Sequence, residues 1–176
     1  MPNDRTLSLS TVTAPMYVPI EKVDIADWLF NLPDSEYQRC AHAHLAAGTT
    51  TTDDGRPMSI NVETIGDAFV IQHYVVEVRD PHFCRLVSIS DSISPAGRTK
   101  LQVIWEISVK KTGDDSCEFT NHIHSSAIDE TIAFFEAHGI PFEKARDAWQ
   151  QASHTHNQEK TPNFAKSIER RALSKH

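Results

Sequence analysis

The chain has 176 residues, 39% hydrophobic and 23% charged, enough to bury the core of one domain over residues 1–176 and too few for two without crowding. Its formal charge of −7, from 17 Lys plus Arg against 24 Asp plus Glu, argues against a surface that tracks phosphates, so no nucleic-acid partner is expected. The pair Arg170-Arg171 near the C-terminus does not reverse this balance.

The opening Met1-Pro2-Asn3-Asp4-Arg5 runs into alternating Thr, Ser and Leu rather than the apolar stretch of a secretory signal. No segment approaches the roughly 18 consecutive apolar residues of a membrane span. The expected location is the cytoplasm. Cys40, Cys84 and Cys117 are odd in number and lack CxxC spacing, which suits buried, reduced thiols better than a disulfide frame.

In chain order, Thr6–Val12 alternates Leu7 and Leu9 with polar neighbours and predicts a strand, punctuated by Pro15 and Pro19. Ile25, Trp28, Leu29 and Leu32 then stand at helical spacing, with Asp24 as N-cap and Pro33 as the stop. A second short helix is expected over Ser35–Cys40. From His44 the period becomes two. Turns at Asp53-Asp54-Gly55-Arg56, Gly66-Asp67, Asp80-Pro81, Ser94-Pro95-Ala96-Gly97 and Thr112-Gly113-Asp114-Asp115 divide this stretch into strands. The strands are His44–Thr52, Pro57–Ile65, Ala68–Arg79, Phe83–Ser94, Thr99–Lys111 and Ser116–Ser126. Loops this short demand antiparallel neighbours, hence a meander. Ile128, Ile132, Phe134 and Phe135 predict a helix that Gly139 can stop. Pro141 opens another, carrying Phe142, Ala145, Ala148, Trp149 and Ala152 on one face. Thr161-Pro162 is expected to interrupt it before a last helical turn or two marked by Phe164, Ile168 and Leu173. The fold class is α+β.

This order of strand, two short helices, meander and C-terminal helix resembles the START-like helix-grip superfamily, which includes pollen-allergen-like, polyketide cyclase/dehydrase and lipid-transport proteins. The residues that fit it are Val23-Asp24-Ile25-Ala26-Asp27-Trp28-Leu29 after the first strand, Gly66-Asp67 between sheet strands, and Leu101-Gln102-Val103-Ile104-Trp105-Glu106-Ile107 late in the sheet. The likeness spans nearly the whole chain. It implies a curved antiparallel sheet of about seven strands wrapped around a C-terminal helix, with an internal apolar pocket between them. Gly139-Ile140-Pro141 departs from the pattern by splitting what is usually one long closing helix, which leaves open which segment caps the pocket.

Alternation then proposes which side chains face that pocket. Leu101, Val103, Trp105, Ile107 and Val109 form one apolar face, and Cys117, Phe119, Asn121 and Ile123 another, with Asn121 polar among hydrophobes. If Gly66-Asp67 is a two-residue hairpin turn, Ile65 opposes Ala68 and Ile60 opposes His73. Met58, Ile60 and Val62 then share a face with Phe69, Ile71, His73 and Val75. Val87, Ile89 and Ile93 share one with Asp91, although Ser88, Ser90 and Ser92 opposite them could equally line a wet pocket. The expected inward polar set is His73, Asp91 and Asn121, with Asn61, Glu63, Gln72 and Tyr74 as an outward cluster. A ligand pocket on this reading uses Trp28, Ile60, Val62, Ile71, His73, Ile89, Val103, Trp105, Phe119, Asn121, Phe135 and Trp149.

A carboxylate that fixes a histidine tautomer raises the basicity of the other ring nitrogen, so His73 with Asp91 could move protons while Asn121 polarises a carbonyl. The same trio could anchor the polar end of an apolar ligand, or be locally satisfied core groups. Three spacings His42-Ala43-His44, His122-Ile123-His124 and His154-Thr155-His156 could each present two rings on a strand face, but no third metal ligand is placed by spacing, and His122 and His124 read as outward. No metal site is expected. There is no GxSxG motif and the glycines are scattered, so neither a nucleophile elbow nor a nucleotide loop is present, and no cofactor is expected. Three functions stay open: a carrier or sensor of a small hydrophobic or aromatic molecule, a cyclase or dehydratase (a lyase) using His73, and an assembly protein with a filled pocket. A homodimer is compatible with all three.

Overall fold

The structure is a computed structural model that describes residues 4–175, so Met1–Asn3 of the opening segment lie outside the described residues. Strand β1 (Thr6–Met16) is followed by a 3-10 turn (Ile20–Lys22), α1 (Ile25–Phe30) and α2 (Asp34–Cys40). Strands β2 (His44–Thr51), β3 (Pro57–Ile65), β4 (Ala68–Asp80), β5 (Phe83–Ser94), β6 (Gly97–Gly113) and β7 (Ser116–Ala127) come next, then α3 (Asp129–Ala137) and α4 (Phe142–Ser174). All seven strands join one curved antiparallel sheet in the order β1-β7-β6-β5-β4-β3-β2. The chain therefore crosses the width of the sheet between β1 and β2, and α1 and α2 make that crossing. No helix among the described residues is long and apolar enough to cross a membrane.

Local chemistry accounts for the boundaries. The Asp24 carboxylate accepts from the Asp27 N–H at 2.9 Å and caps α1. Gly66 adopts φ +61°, the positive first angle of a tight hairpin turn, and this turn pins Ile65 opposite Ala68 and Ile60 opposite His73, as expected. Strand β1 runs four residues beyond Val12, through Pro15 to Met16. Pro15 pairs with Glu118 without losing a ladder bond, since it shares the alternation of Leu9, whose backbone polar groups point away from β7.

Helix α4 is continuous over 33 residues, which corrects the interruption expected at Thr161-Pro162. Pro162 is exposed, on the solvent side of the helix, so the carbonyl it leaves without a donor can bond to water. The buried residues 153, 156, 157, 160, 161, 164, 165 and 168 keep helical spacing straight past the proline. Gly139, at φ +61°, and Pro141 do separate α3 from α4. The core between α4, α1 and the β6–β7 half of the sheet holds Trp28, Trp105, Phe119 and Phe164, all nearly or fully buried.

Side-chain bonds tie α4 down along its length. The Gln150 amide accepts from the Leu9 N–H at 2.8 Å and donates to the Leu9 carbonyl at 3.0 Å. At the far end Arg171 donates to Asp27 at 2.6 Å and Lys175 contacts the same carboxylate, fastening α4 to α1. The Arg171 hydrogen bond holds the Asp27 carboxyl down at about 2, below its ordinary 3.8. A depressed carboxyl contributes stability above its unfolded pKa and loses it as pH falls through the folded one. Arg171→Ala should therefore cost up to about 1 kcal/mol at pH 5, the scale of partly exposed pairs. The gap from the parent should close as pH falls from 3.8 towards about 2, read as urea midpoints across that window.

Candidate functional site

A cavity of about 480 Å³ opens between the β3–β4 and β5–β6 hairpins, α3 and the first turns of α4. Ile65, Leu101, Phe134, Phe135 and Trp149 give it apolar walls, and Ala145, Ala148 and Ala152 keep the α4 side clear. Its size is that of a pocket for a small organic molecule. Ile65 and Trp149 also border a second void of about 10 Å³ deeper in, room for about one water. That void is lined by Glu63, Gln72, Ser125, Ser153, His156 and Lys160. Ile65 and Trp149 thus stand between an apolar cavity and a polar interior. The Trp149 indole N–H is buried without a hydrogen-bond partner.

Glu63 is the hub of that interior. Alternation along β3 turns it inward, where Tyr37 donates to its Oε2 at 3.1 Å and Gln72 to its Oε1 at 2.7 Å. His156 Nε2 lies 2.9 Å and His44 Nε2 3.4 Å from the same Oε2. His44 Nδ1 stands 2.6 Å from the Tyr37 carbonyl oxygen, which can only accept, so the geometry puts a proton on Nδ1. The His44 ring stacks on Tyr37 with centroids 3.8 Å apart. Its Nε2 has no hydrogen-bond partner, and neither do His156 Nδ1 and Gln72 Oε1.

Charge follows from burial and neighbours. Burial alone would push Glu63 up, but Lys160, followed by His156, holds its carboxyl well below the usual range. Burial pushes the Lys160 ammonium down against the opposing pull of Glu63. Burial also takes His44 down to about 4, against the same pull. Tyr37 and Tyr74 are raised well above 10 by burial beside Glu63. The result is an ionised Glu63 and a buried Lys160 beside one void, with the neutral His44 imidazole 3.4 Å from the carboxylate. The donor atoms of His44, Glu63 and His156 lie within 4.8 Å of one another.

The expected trio is not brought together. The register of β3 with β4 is as predicted, but the faces of β3, β4 and β5 are exchanged. Ser59, Asn61, Glu63, Gln72, Tyr74, Ser88, Ser90 and Ser92 are buried on the inner face. Ile60, Val62, Ile71, His73, Val87, Ile89, Asp91 and Ile93 lie on the outer one. Asp91 there pairs with Arg98 at 2.9 Å, and neither His73 nor Asp91 reaches the interior. The cluster of Asn61, Glu63, Gln72 and Tyr74 expected outside is likewise inside. Asn121 does point inward, but it is held in a closed network: the Trp105 indole donates to its Oδ1 at 2.7 Å and its amide donates to Thr161 at 3.2 Å.

Of the other expected pocket residues, Phe135 and Trp149 line the large cavity and Val103 the small one. Trp105 and Phe119 are core, as is Trp28, whose indole donates to Ser167 at 2.8 Å. Ile60, Val62, Ile71 and Ile89 face away from both cavities. His122 and His124 are on the outer face, where they meet Thr11 and Thr6. Sequence reasoning missed Glu63, His44, His156 and Lys160. The three cysteines are free and buried, with thiols raised by burial to about 11, which leaves them poor nucleophiles.

No family model matches this sequence, and no curated protein does. Solved structures do. The Zhui aromatase/cyclase from Streptomyces sp. R1128 superposes with a TM-score of 0.61 at 8% identity, over 95% of this chain and 94% of that one. A START superfamily protein from Mycobacterium smegmatis gives 0.53 at 13%, over 96% and 99%. A norcoclaurine synthase point mutant from Thalictrum flavum gives 0.50 at 13%, over 99% of each chain. Curved seven-stranded sheet, two crossing helices and long C-terminal helix together make this the START-like helix-grip fold.

Proposed function

We propose that the protein binds a small hydrophobic or aromatic molecule in the 480 Å³ cavity, as a carrier or sensor. The observation that carries this reading is the apolar cavity with the unpartnered Trp149 N–H at its boundary with the Glu63 interior. A ligand with an apolar body and one polar end matches that gradient, with its body against Phe134, Phe135 and the α4 alanines and its polar end at Trp149. The names of the fold neighbours, a cyclase and a synthase among them, are compatible with small organic ligands, but at 8–13% identity they bear on the fold alone. An assembly protein with a self-filled pocket is disfavoured by a cavity of this size.

Proton-transfer catalysis is a second reading, favoured by the buried Glu63–His156 contact at 2.9 Å beside Lys160. It replaces the His73–Asp91 pair of the sequence with groups that do face the interior. A general base contributes roughly 10²–10⁴ in rate, so His156→Gln would remove turnover of that order while a carrier would retain its affinity.

The direct test is native mass spectrometry followed by thermal shifts with aromatic, polyketide-like, sterol and fatty-acid compounds. A ligand at about 100 times its Kd should add about 2.7 kcal/mol of stability. Ala145→Trp, which fills the cavity from α4, should abolish that gain without lowering stability in the absence of ligand. A panel that stabilises neither protein would sink the proposal.

A further inference from the structure

We propose that His44, Glu63 and His156 form a binding site for a divalent transition-metal ion of the zinc type. This does not depend on the organic ligand. Ligand atoms around zinc, each about 2.0–2.2 Å from the ion, stand about 3.0–3.5 Å from one another. His44 Nε2 and His156 Nε2 lie 3.4 and 2.9 Å from Glu63 Oε2, so two edges of the triangle already have this size.

The surroundings hold these donors as metal ligands are usually held. A ligating histidine typically gives its other ring N–H to a carbonyl, which fixes both tautomer and orientation. His44 does this through Nδ1 to the Tyr37 carbonyl at 2.6 Å, and the stacked Tyr37 ring prevents rotation. Its Nε2 lone pair is then buried, unpartnered and turned towards Glu63 Oε2. Leaving such an acceptor buried without a partner is unfavourable, and a bound cation would offset that. Gln72 engages the opposite oxygen, Oε1, while Oε2 lies between the two imidazoles and accepts from the Tyr37 hydroxyl at 3.1 Å, a donor that a bound ion would have to share or displace. Two imidazoles and one carboxylate suit zinc or its first-row neighbours rather than calcium or magnesium.

Each ring comes from a different HxH pair, and its companion points elsewhere: His42 to Glu159 at the surface and His154 to Ser10. Three protein ligands leave a coordination position open, and the void beside His156, lined by Ser125, Ser153 and Trp149, is where a water or a ligand oxygen would complete it. Lys160 opposes the ion, because its ammonium neutralises the same carboxylate. Removing that charge while keeping all three donors should strengthen binding.

The experiment uses the full chain, stripped with EDTA and dialysed. Zn²⁺ is titrated against a chromophoric chelator, and Co²⁺ is added separately and followed by its visible absorption. One equivalent of Zn²⁺ should bind, and Co²⁺ should give the intense bands of a low-symmetry site. His44→Phe and His156→Leu should each weaken binding by more than about 100-fold, the upper range for losing a mere supporting group. The double variant His122→Ala/His124→Ala should bind like the parent, and Lys160→Met more tightly. Should the ligand variants fail to fold, imidazole nitrogen NMR of the parent decides: Zn²⁺ must shift the resonances of His44 and His156. Uptake below one equivalent, retention in both ligand variants, or shifts confined to exposed histidines would overturn the proposal.

Discussion

Glu63→Ala should lower the unfolding free energy by about 3–5 kcal/mol, the range for removing one partner from a buried charged cluster. The carboxylate accepts from Tyr37 and Gln72, contacts His156, and is the negative charge that opposes buried Lys160. Without it an ammonium is left in the interior with no counter-charge, and two donors lose their acceptor. At this chain length each kcal/mol moves Tm by about 2–4 °C, so the midpoint should fall by on the order of 10 °C. Lys160→Met in the same chain should recover a large part of the loss, because the two positions interact and their effects do not add. Urea unfolding of the two single variants and the double closes the cycle. A loss under about 1 kcal/mol in Glu63→Ala would mean that the carboxylate is not the hub.

The second large effect is acid sensitivity from His44, measured with EDTA present. In the fold this ring titrates near 4 rather than at its ordinary 6.5, because it is buried. Glu63 favours its charged form, while Lys160 and His156 disfavour it. Between these two values the unfolded chain takes up a proton that the folded chain refuses. Stability is therefore complete above about pH 6.5, declines as pH falls, and levels off below about 4. At 1.36 kcal/mol per unit the total loss is roughly 3 kcal/mol. His44→Phe keeps a ring against Tyr37 but cannot titrate, so its unfolding free energy should lack that decline. A variant with the same slope as the parent would place the titration elsewhere.

The architecture was legible in the sequence because it depends on element order and turns. Gly66-Asp67 fixes the β3–β4 register through its two-residue turn, and β6 and β7 showed their inner faces because Leu101, Val103, Trp105, Ile107 and Phe119 pack against helices. The same rule, apolar side inward, inverted β3, β4 and β5. There the inner face is polar, built of Ser59, Asn61, Glu63, Gln72 and three serines, while Ile60, Val62, Ile71 and Ile89 are on the outside. The serine alternation from Ser88 to Ser92 was the visible hint. It could not be decided without Glu63, whose burial requires Tyr37, Gln72, His156 and Lys160 from three other elements. Helix α4 read as broken because Thr161-Pro162 looks like a stop, and its inner face from Ser153 to Thr161, with His156, Asn157 and Lys160, offered no hydrophobic periodicity to set against it.

The bonds between Gln150 and Leu9 bear on how this molecule avoids its own kind. A sheet that does not close on itself has two rims whose free amides and carbonyls can template a further strand. On the β1 rim Gln150 occupies both groups of Leu9, Pro15 offers no N–H, and Glu169 takes the N–H of Tyr17 just beyond the strand. On the β2 rim Asp34 accepts from the Ala47 N–H at 2.8 Å. What stays open is short: Thr11 and Thr13 on one rim and Thr49 to Thr51 on the other. Side chains, rather than closure of a barrel, thus shorten the stretch that either rim offers to a further strand.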